Sequence, residues 1–99
     1  MEMSEVIYKD SSYTCLLQVF EDRAFFHVDV EGVLKLSDIR RGRSAFNNIK
    51  QEVLSRGYDR MYAVTPSPHF ATLLGAGFEK IQQVEYEGKL QEMIVWELK

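Results

Sequence analysis

A single cysteine, Cys15, leaves this chain without an intrachain disulfide. It sits in an apolar strand pattern, which assigns it to packing and the protein to a reducing, cytoplasmic setting; a reactive thiol is the lesser reading. One cysteine and two widely separated histidines, His27 and His69, give no metal-ligand spacing, so no metal site is expected. No apolar run approaches the roughly 20 residues of a membrane span. The acidic start Met1-Glu2-Met3-Ser4-Glu5 lacks the hydrophobic stretch of a secretory leader. No repeat, low-complexity tract or linker divides the 99 residues, so one domain spanning 1–99 is expected, with one core and a small stability margin.

Positive charge is segregated along the chain. The net charge is -3, yet between Lys35 and Arg60 seven basic residues face three acidic ones, while the remainder carries five basic and twelve acidic. That distribution suits a local anionic ligand better than general nucleic-acid binding, which favours a strongly basic domain. It also suits an ordinary solvated helix face.

Hydrophobic periodicity outlines the elements. Tyr13 to Phe20 reads as a strand, and Glu21-Asp22 as a short turn. From Ala24 to Leu36 the residues alternate, with Phe26, Val28, Val30, Leu34 and Leu36 on one face and Phe25, His27, Asp29, Glu31, Val33 and Lys35 on the other. Gly32 interrupts this pattern as a bulge or a bend. Ala45, Phe46, Ile49, Val53 and Leu54 then recur at helical spacing, and Gly57 supplies the stop. Arg60 to Thr65 is a short strand. Ser67 and Pro68 open a second helix through Phe70, Leu73 and Leu74, ending in Gly75-Ala76-Gly77. Two closing strands, about Phe78–Tyr86 and Leu90–Leu98, flank Glu87-Gly88 as a hairpin turn. The order β-β-α-β-α-β-β implies an α/β (α+β) fold: a mixed, mostly antiparallel sheet around a parallel β-α-β core.

Between the alternating strand and the first helix lies Asp38-Ile39-Arg40-Arg41-Gly42-Arg43-Ser44-Ala45. Read as a turn that opens the helix, it collects what an anion needs. Free N–H groups and a partial positive charge mark a helix start, and arginines add charge-assisted bonds to phosphate oxygens. Gly42, Ser44 and Ala45 admit a bulky anion close to the backbone.

The basic glycine turn, the helix ending near Gly57, the strand after it, Pro66-Ser67-Pro68-His69-Phe70-Ala71 and Gly77-Phe78-Glu79 follow one another in the order of a known family. The chain resembles the core of the GCN5-related N-acetyltransferases, the GNAT fold, and especially the small divergent members found in phage genomes. The resemblance covers about Phe25 to Leu98. It implies a truncated GNAT-like fold that binds acetyl-CoA, whose pyrophosphate would be held by Arg40, Arg41, Gly42, Arg43, Ser44 and Ala45. In one register Gly42 and Ser44 take the motif's two glycine positions and Ile39 stands where Gln or Arg is usual. In another, Arg41 comes first and Ser44 and Phe46 fall on the glycines. The resemblance further implies that the pantetheine arm inserts between the long strand and the strand after Arg60, which must therefore splay apart.

The chain departs from the family pattern in the second helix. Leu73 stands where a tyrosine commonly protonates the departing thiolate, and no asparagine opens that helix. The family's N-terminal strand-helix-helix region is also missing, so either a partner subunit completes the acceptor site or none of the usual kind exists.

Acetyl transfer to an amine needs a base for the ammonium proton and donors for the tetrahedral oxyanion. His27, Asp29 and Glu31 share one strand face and can line a cleft, with His27 or Glu31 as the base; a solvated sheet face accounts for them too. His69 near the second helix is either a cofactor neighbour or a surface histidine. Tyr62 and Phe70 read as core, and Trp96 as core or dimer contact. The expectation is an acyl-CoA-dependent N-acetyltransferase-like protein, a homodimer acting on an unknown amine. The alternative is a catalytically degenerate GNAT-like binding module, such as a phage-encoded modulator of a host protein.

Overall fold

Two tight hairpins set most of the sheet. Glu21 and Asp22 have φ of 50° and 62°, and Glu87 and Gly88 have 52° and 75°. Positive φ at both central residues matches the right-handed twist of the flanking strands. The structure, a computed structural model, describes residues 3–65, 71–72 and 77–99. Its strands are β1 (Met3–Lys9), β2 (Tyr13–Phe20), β3 (Arg23–Val30), β4 (Arg60–Thr65), β5 (Phe78–Tyr86) and β6 (Lys89–Glu97), with helix α1 (Leu36–Ser55) between β3 and β4. The six strands form one mixed sheet in the order β1-β2-β3-β4-β6-β5. Only β3 and β4 pair in parallel, as a crossover through α1 requires. Most of the expected second helix lies outside the described residues; Ala71 and Thr72 are helical.

Two boundaries differ from the sequence reading. β1 was not foreseen, because a register shift between Val6 and Tyr8 breaks its alternation and lets the consecutive Ile7 and Tyr8 both pack against the core. The strand expected over Ala24–Leu36 stops at Val30. Gly32, at φ 73°, turns the chain, and the extended Lys35 donates its N–H to Asp38 Oδ2 at 2.8 Å to start the helix. Leu34 and Leu36 continue the alternating pattern only by coincidence; Leu36 is 66% exposed.

Helix α1 therefore begins about nine residues earlier than its apolar repeat suggested, and the arginine-glycine segment lies inside it. Its buried face is Gly42, Ala45, Phe46, Ile49 and Val53. It ends where Gly57, at φ 98°, donates to Leu54 O and Tyr58 donates to Val53 O, a Schellman closure that satisfies the last carbonyls. The helix face packs on Tyr13, Cys15, Leu17, Phe26, Met61, Ile94 and Trp96, which with it form the core. Rings of Phe26, Phe46 and Phe78 meet Trp96 edge-on, which places Trp96 in the core. Tyr62 instead lies on the opposite sheet face, its ring 5.5 Å from that of Phe25 and capped by Arg23.

Candidate functional site

Strands β3 and β4 pair only at Ala24–Met61 and Phe25–Tyr62. Beyond that point β3 continues to Val30 on its ladder with β2, and β4 continues to Thr65 on its ladder with β6. The sheet thus divides into two halves that splay at the carboxyl ends of their central strands. In open sheets with parallel crossovers, this is where the helix start and ligands converge.

A cavity of about 180 Å³ fills the splay, lined by Phe26 to Asp29 of β3, Ala63 to Thr65 of β4, Ala71, and Ile94 and Trp96 of β6. Consecutive residues of each strand contribute, since the gap runs edge-on between strands rather than over one face. Strand edges left without a neighbour expose N–H and C=O groups, and an amide-bearing chain can satisfy them. A more open groove of about 320 Å³ joins the cleft at His27 and Val64, and Gln18, Phe20, Phe25 and Tyr86 complete it. Alternation puts this groove on the face away from α1.

His27 is the titratable side chain best placed for chemistry. It is half-buried, and its Nε2 lies 3.1 Å from Gln18 Oε1. Because a carboxamide oxygen only accepts, this contact assigns the proton to Nε2 and leaves the Nδ1 lone pair open. Burial pushes the imidazole below its ordinary range, with Asp29 opposing in part. Neutral imidazole with a free lone pair is the form a general base requires. Glu31, the other candidate base, lies one residue past β3 and is exposed; its N–H donates to Ser12 O at 2.9 Å. Along an extended chain that is roughly 13 Å from His27. The structure does not bring the two together, and Glu31 is absent from the described cleft wall.

The expected phosphate turn requires a correction in its geometry. Arg40, Arg41, Gly42, Arg43, Ser44 and Ala45 all lie in the helix, so their N–H groups belong to its internal ladder and form no amide cradle. Gly42 and Ala45 face the core. Gly42 serves a packing contact: a Cβ there would stand 2.7 Å from the Tyr13 hydroxyl, which donates to Asp38 O at 2.7 Å. Arg41 bonds Asp10 at 2.7 Å, Asp38 at 2.9 Å and Ser12 Oγ at 3.0 Å, tying the β1–β2 connection to the helix start. Burial alone would raise the Asp10 carboxyl. Hydrogen bonds from Tyr8, Arg41 and the N–H groups of Ser12 and Tyr13 outweigh it and hold Asp10 well below the usual range. The Lys35 N–H, then Arg41, lowers Asp38. Arg40, Arg43 and Ser44 are exposed on the helix.

The sequence signal for this arrangement was present. Ile39, Gly42, Phe46, Ile49 and Val53 continue one helical stripe at spacings of three and four. Gln18, the partner that fixes the His27 tautomer, left no local signal. Cys15 is buried, which pushes its thiol up to about 11 and removes it as a nucleophile near neutrality. His69 and Leu73 lie outside the described residues, and no metal-binding cluster occurs among the described ones.

No protein-family model matches the chain, and no curated protein matches it in sequence. Solved structures do. An aminoglycoside 6′-acetyltransferase type Ii superposes with a TM-score of 0.61 at 16% identity, over 91% of this chain and 72% of that one. An N-acetyltransferase from Staphylococcus aureus Mu50 superposes with a TM-score of 0.57 at 18% identity, over 88% of this chain and 60% of that one. The chain has the GNAT fold, with a six-stranded mixed sheet and one described helix.

Proposed function

We propose that this protein binds an acyl-CoA thioester in the β3–β4 cleft and acts as an N-acetyltransferase toward a small amine. The splay itself carries the reading: the two central strands pair at only two positions, and a cavity occupies the gap beyond them. The two solved structures named above are acetyltransferases by name, which supports the same direction.

The cleft fits the narrow pantetheine arm better than the helix fits the diphosphate. Lys35 at the helix start and the exposed Arg40 would supply its positive charge, in place of an amide cradle. Acetyl-CoA, when bound, supplies the activated acetyl group. The amine approaches along the open groove beside Phe25 and Tyr86, and His27 Nδ1 accepts the ammonium proton, directly or through water. The cleft favours His27 over Glu31 as the base. The reading keeps the expected homodimer: Ile81 and Tyr86 on the edge strand β5, with Leu90 beside them, are exposed, and an uncovered apolar edge favours association.

One observation favours a second reading, a GNAT-like binding module without catalysis. Arg41 and Gly42 are committed to internal contacts with Asp10, Asp38 and Tyr13, and so are withdrawn from any phosphate. Calorimetric titration with acetyl-CoA, followed by assay against simple primary amines, separates the two. Binding with turnover supports the enzyme, binding without turnover supports the module, and no binding at millimolar acetyl-CoA contradicts the acyl-CoA reading.

A further inference from the structure

Three aromatic side chains converge on the open groove that joins the cleft. Phe25 of β3 is half-buried there, while Phe20 at the end of β2 and Tyr86 at the end of β5 are 44% and 49% exposed. In the sheet order β5 stands three strands from β3, roughly 14 Å away across a flat sheet. Tyr86 shares a groove with Phe25 because the sheet twists and the tip of the β5–β6 hairpin curls over the face opposite α1. Single exposed aromatics are ordinary. Rings brought from β2, β3 and β5 to one concave space beside His27 have the character of a ligand site.

Size and charge narrow the occupant. The groove holds about 320 Å³, and a cavity of about 150 Å³ already admits a benzene ring. No acidic side chain lines it among the described residues, and the segment 66–77 contains no Asp or Glu. Asp29, two residues past His27 on the same strand face, is the one carboxylate in the described cleft wall. A polyamine would bring several ammonium groups to one counter-charge, and desolvating an unpaired charge is costly. A single amino group set against His27 and Asp29, with a flat apolar body among the rings, meets both conditions. Phe25 and His27 lie two residues apart on one face, roughly 7 Å, a span that a ring with a two-carbon chain covers. We propose that the groove is the acceptor site for an arylalkylamine, a primary monoamine joined to an aromatic ring by a short chain, with the ring packed against Phe20, Phe25 and Tyr86. This rests on the acetyl-transfer reading above and names its substrate class.

Titrating ¹⁵N-labelled protein with 2-phenylethylamine should shift the amide signals of Phe25 and His27 in a saturable way. n-Propylamine, which lacks the ring, should bind about 10- to 100-fold more weakly. In assays with acetyl-CoA, kcat/KM should follow the same order, and spermidine should do no better than n-propylamine. Phe20→Ala removes a ring that stands on β2 rather than on the edge strand proposed for association. It should narrow the preference for 2-phenylethylamine about 3- to 10-fold in both measurements. Equal binding of the two monoamines, or a preference for spermidine, overturns the acceptor assignment; the acyl-CoA reading then stands if acetyl-CoA still raises the melting temperature. If acetyl-CoA has no effect while 2-phenylethylamine binds preferentially, the transfer reading falls and the arylalkylamine site stands. Should Phe20→Ala fail to fold, the wild-type ranking of the three amines decides alone.

Discussion

The hydroxyl of Tyr13 occupies the space that a Cβ on residue 42 would need, 2.7 Å from that position, and from there it reaches the Asp38 carbonyl. This pair explains a glycine inside a helix. Gly42 breaks nothing; it lets a strand tyrosine cross the helix surface and bind its first turn.

Gly42→Ala is the direct check. At an ordinary helix position alanine gains about 1 kcal/mol over glycine. Here the new methyl meets a buried ring whose hydroxyl is tied, and overpacking costs about 1–3 kcal/mol. The variant should lose up to about 2 kcal/mol, a melting decrease of up to roughly 15 °C. In a Tyr13→Phe background the same change should cost less, because the closest contact is gone. Urea unfolding of the four-member cycle measures the coupling.

The Arg41 network predicts an acid response. Asp10 and Asp38 have depressed folded values, so they contribute stability above the ordinary carboxylate range of about 4 and lose it as pH falls through the folded values. Arg41→Ala should lower stability at neutral pH and flatten its fall below about pH 4, because the folded carboxyls return toward their ordinary range. Thermal unfolding from pH 2 to 7 for both proteins tests this. A variant curve parallel to wild type would contradict it.

His27 gives the opposite sign from a salt-bridged histidine. Its folded value lies below 6.5, so the unfolded chain binds the proton more tightly and stability rises with pH through that interval. Acetyl transfer should rise over the same range and level off above it. His27→Gln should reduce kcat by about 10²- to 10⁴-fold and remove the acidic limb. Glu31→Gln should leave both near wild type. Rate profiles across pH 5 to 8 distinguish these outcomes.

Much of the fold was legible because hydrophobic period and turn chemistry agreed. β2, β4, the Glu87-Gly88 hairpin and the Phe46-Ile49-Val53 face follow from patterns that burial enforces. Three features were not. A bulge gave β1 consecutive inward residues, so no alternation marked it. Leu34 and Leu36 imitated a strand, and Gly42 imitated a turn, because a sequence shows that glycine is present without showing which side chain needs the space. In the site, alternation placed His27 correctly on the face with Phe25. The cleft beside it depends on where the β3–β4 ladder stops, and the burial of Trp96 depends on three rings from distant segments.

The central claim is that the gap between β3 and β4 receives an acyl-CoA. Differential scanning of the wild-type protein with acetyl-CoA, beside Ala63→Leu, which narrows the cavity, tests it most directly. At about 100 times its dissociation constant the ligand should stabilise the wild type by about 2.7 kcal/mol. That corresponds to a rise of roughly 10–20 °C. Ala63→Leu should remain folded, as its unliganded transition will show, and lose most of that rise. No shift in the wild type at millimolar acetyl-CoA, or an equal shift in the narrowed variant, would contradict the account.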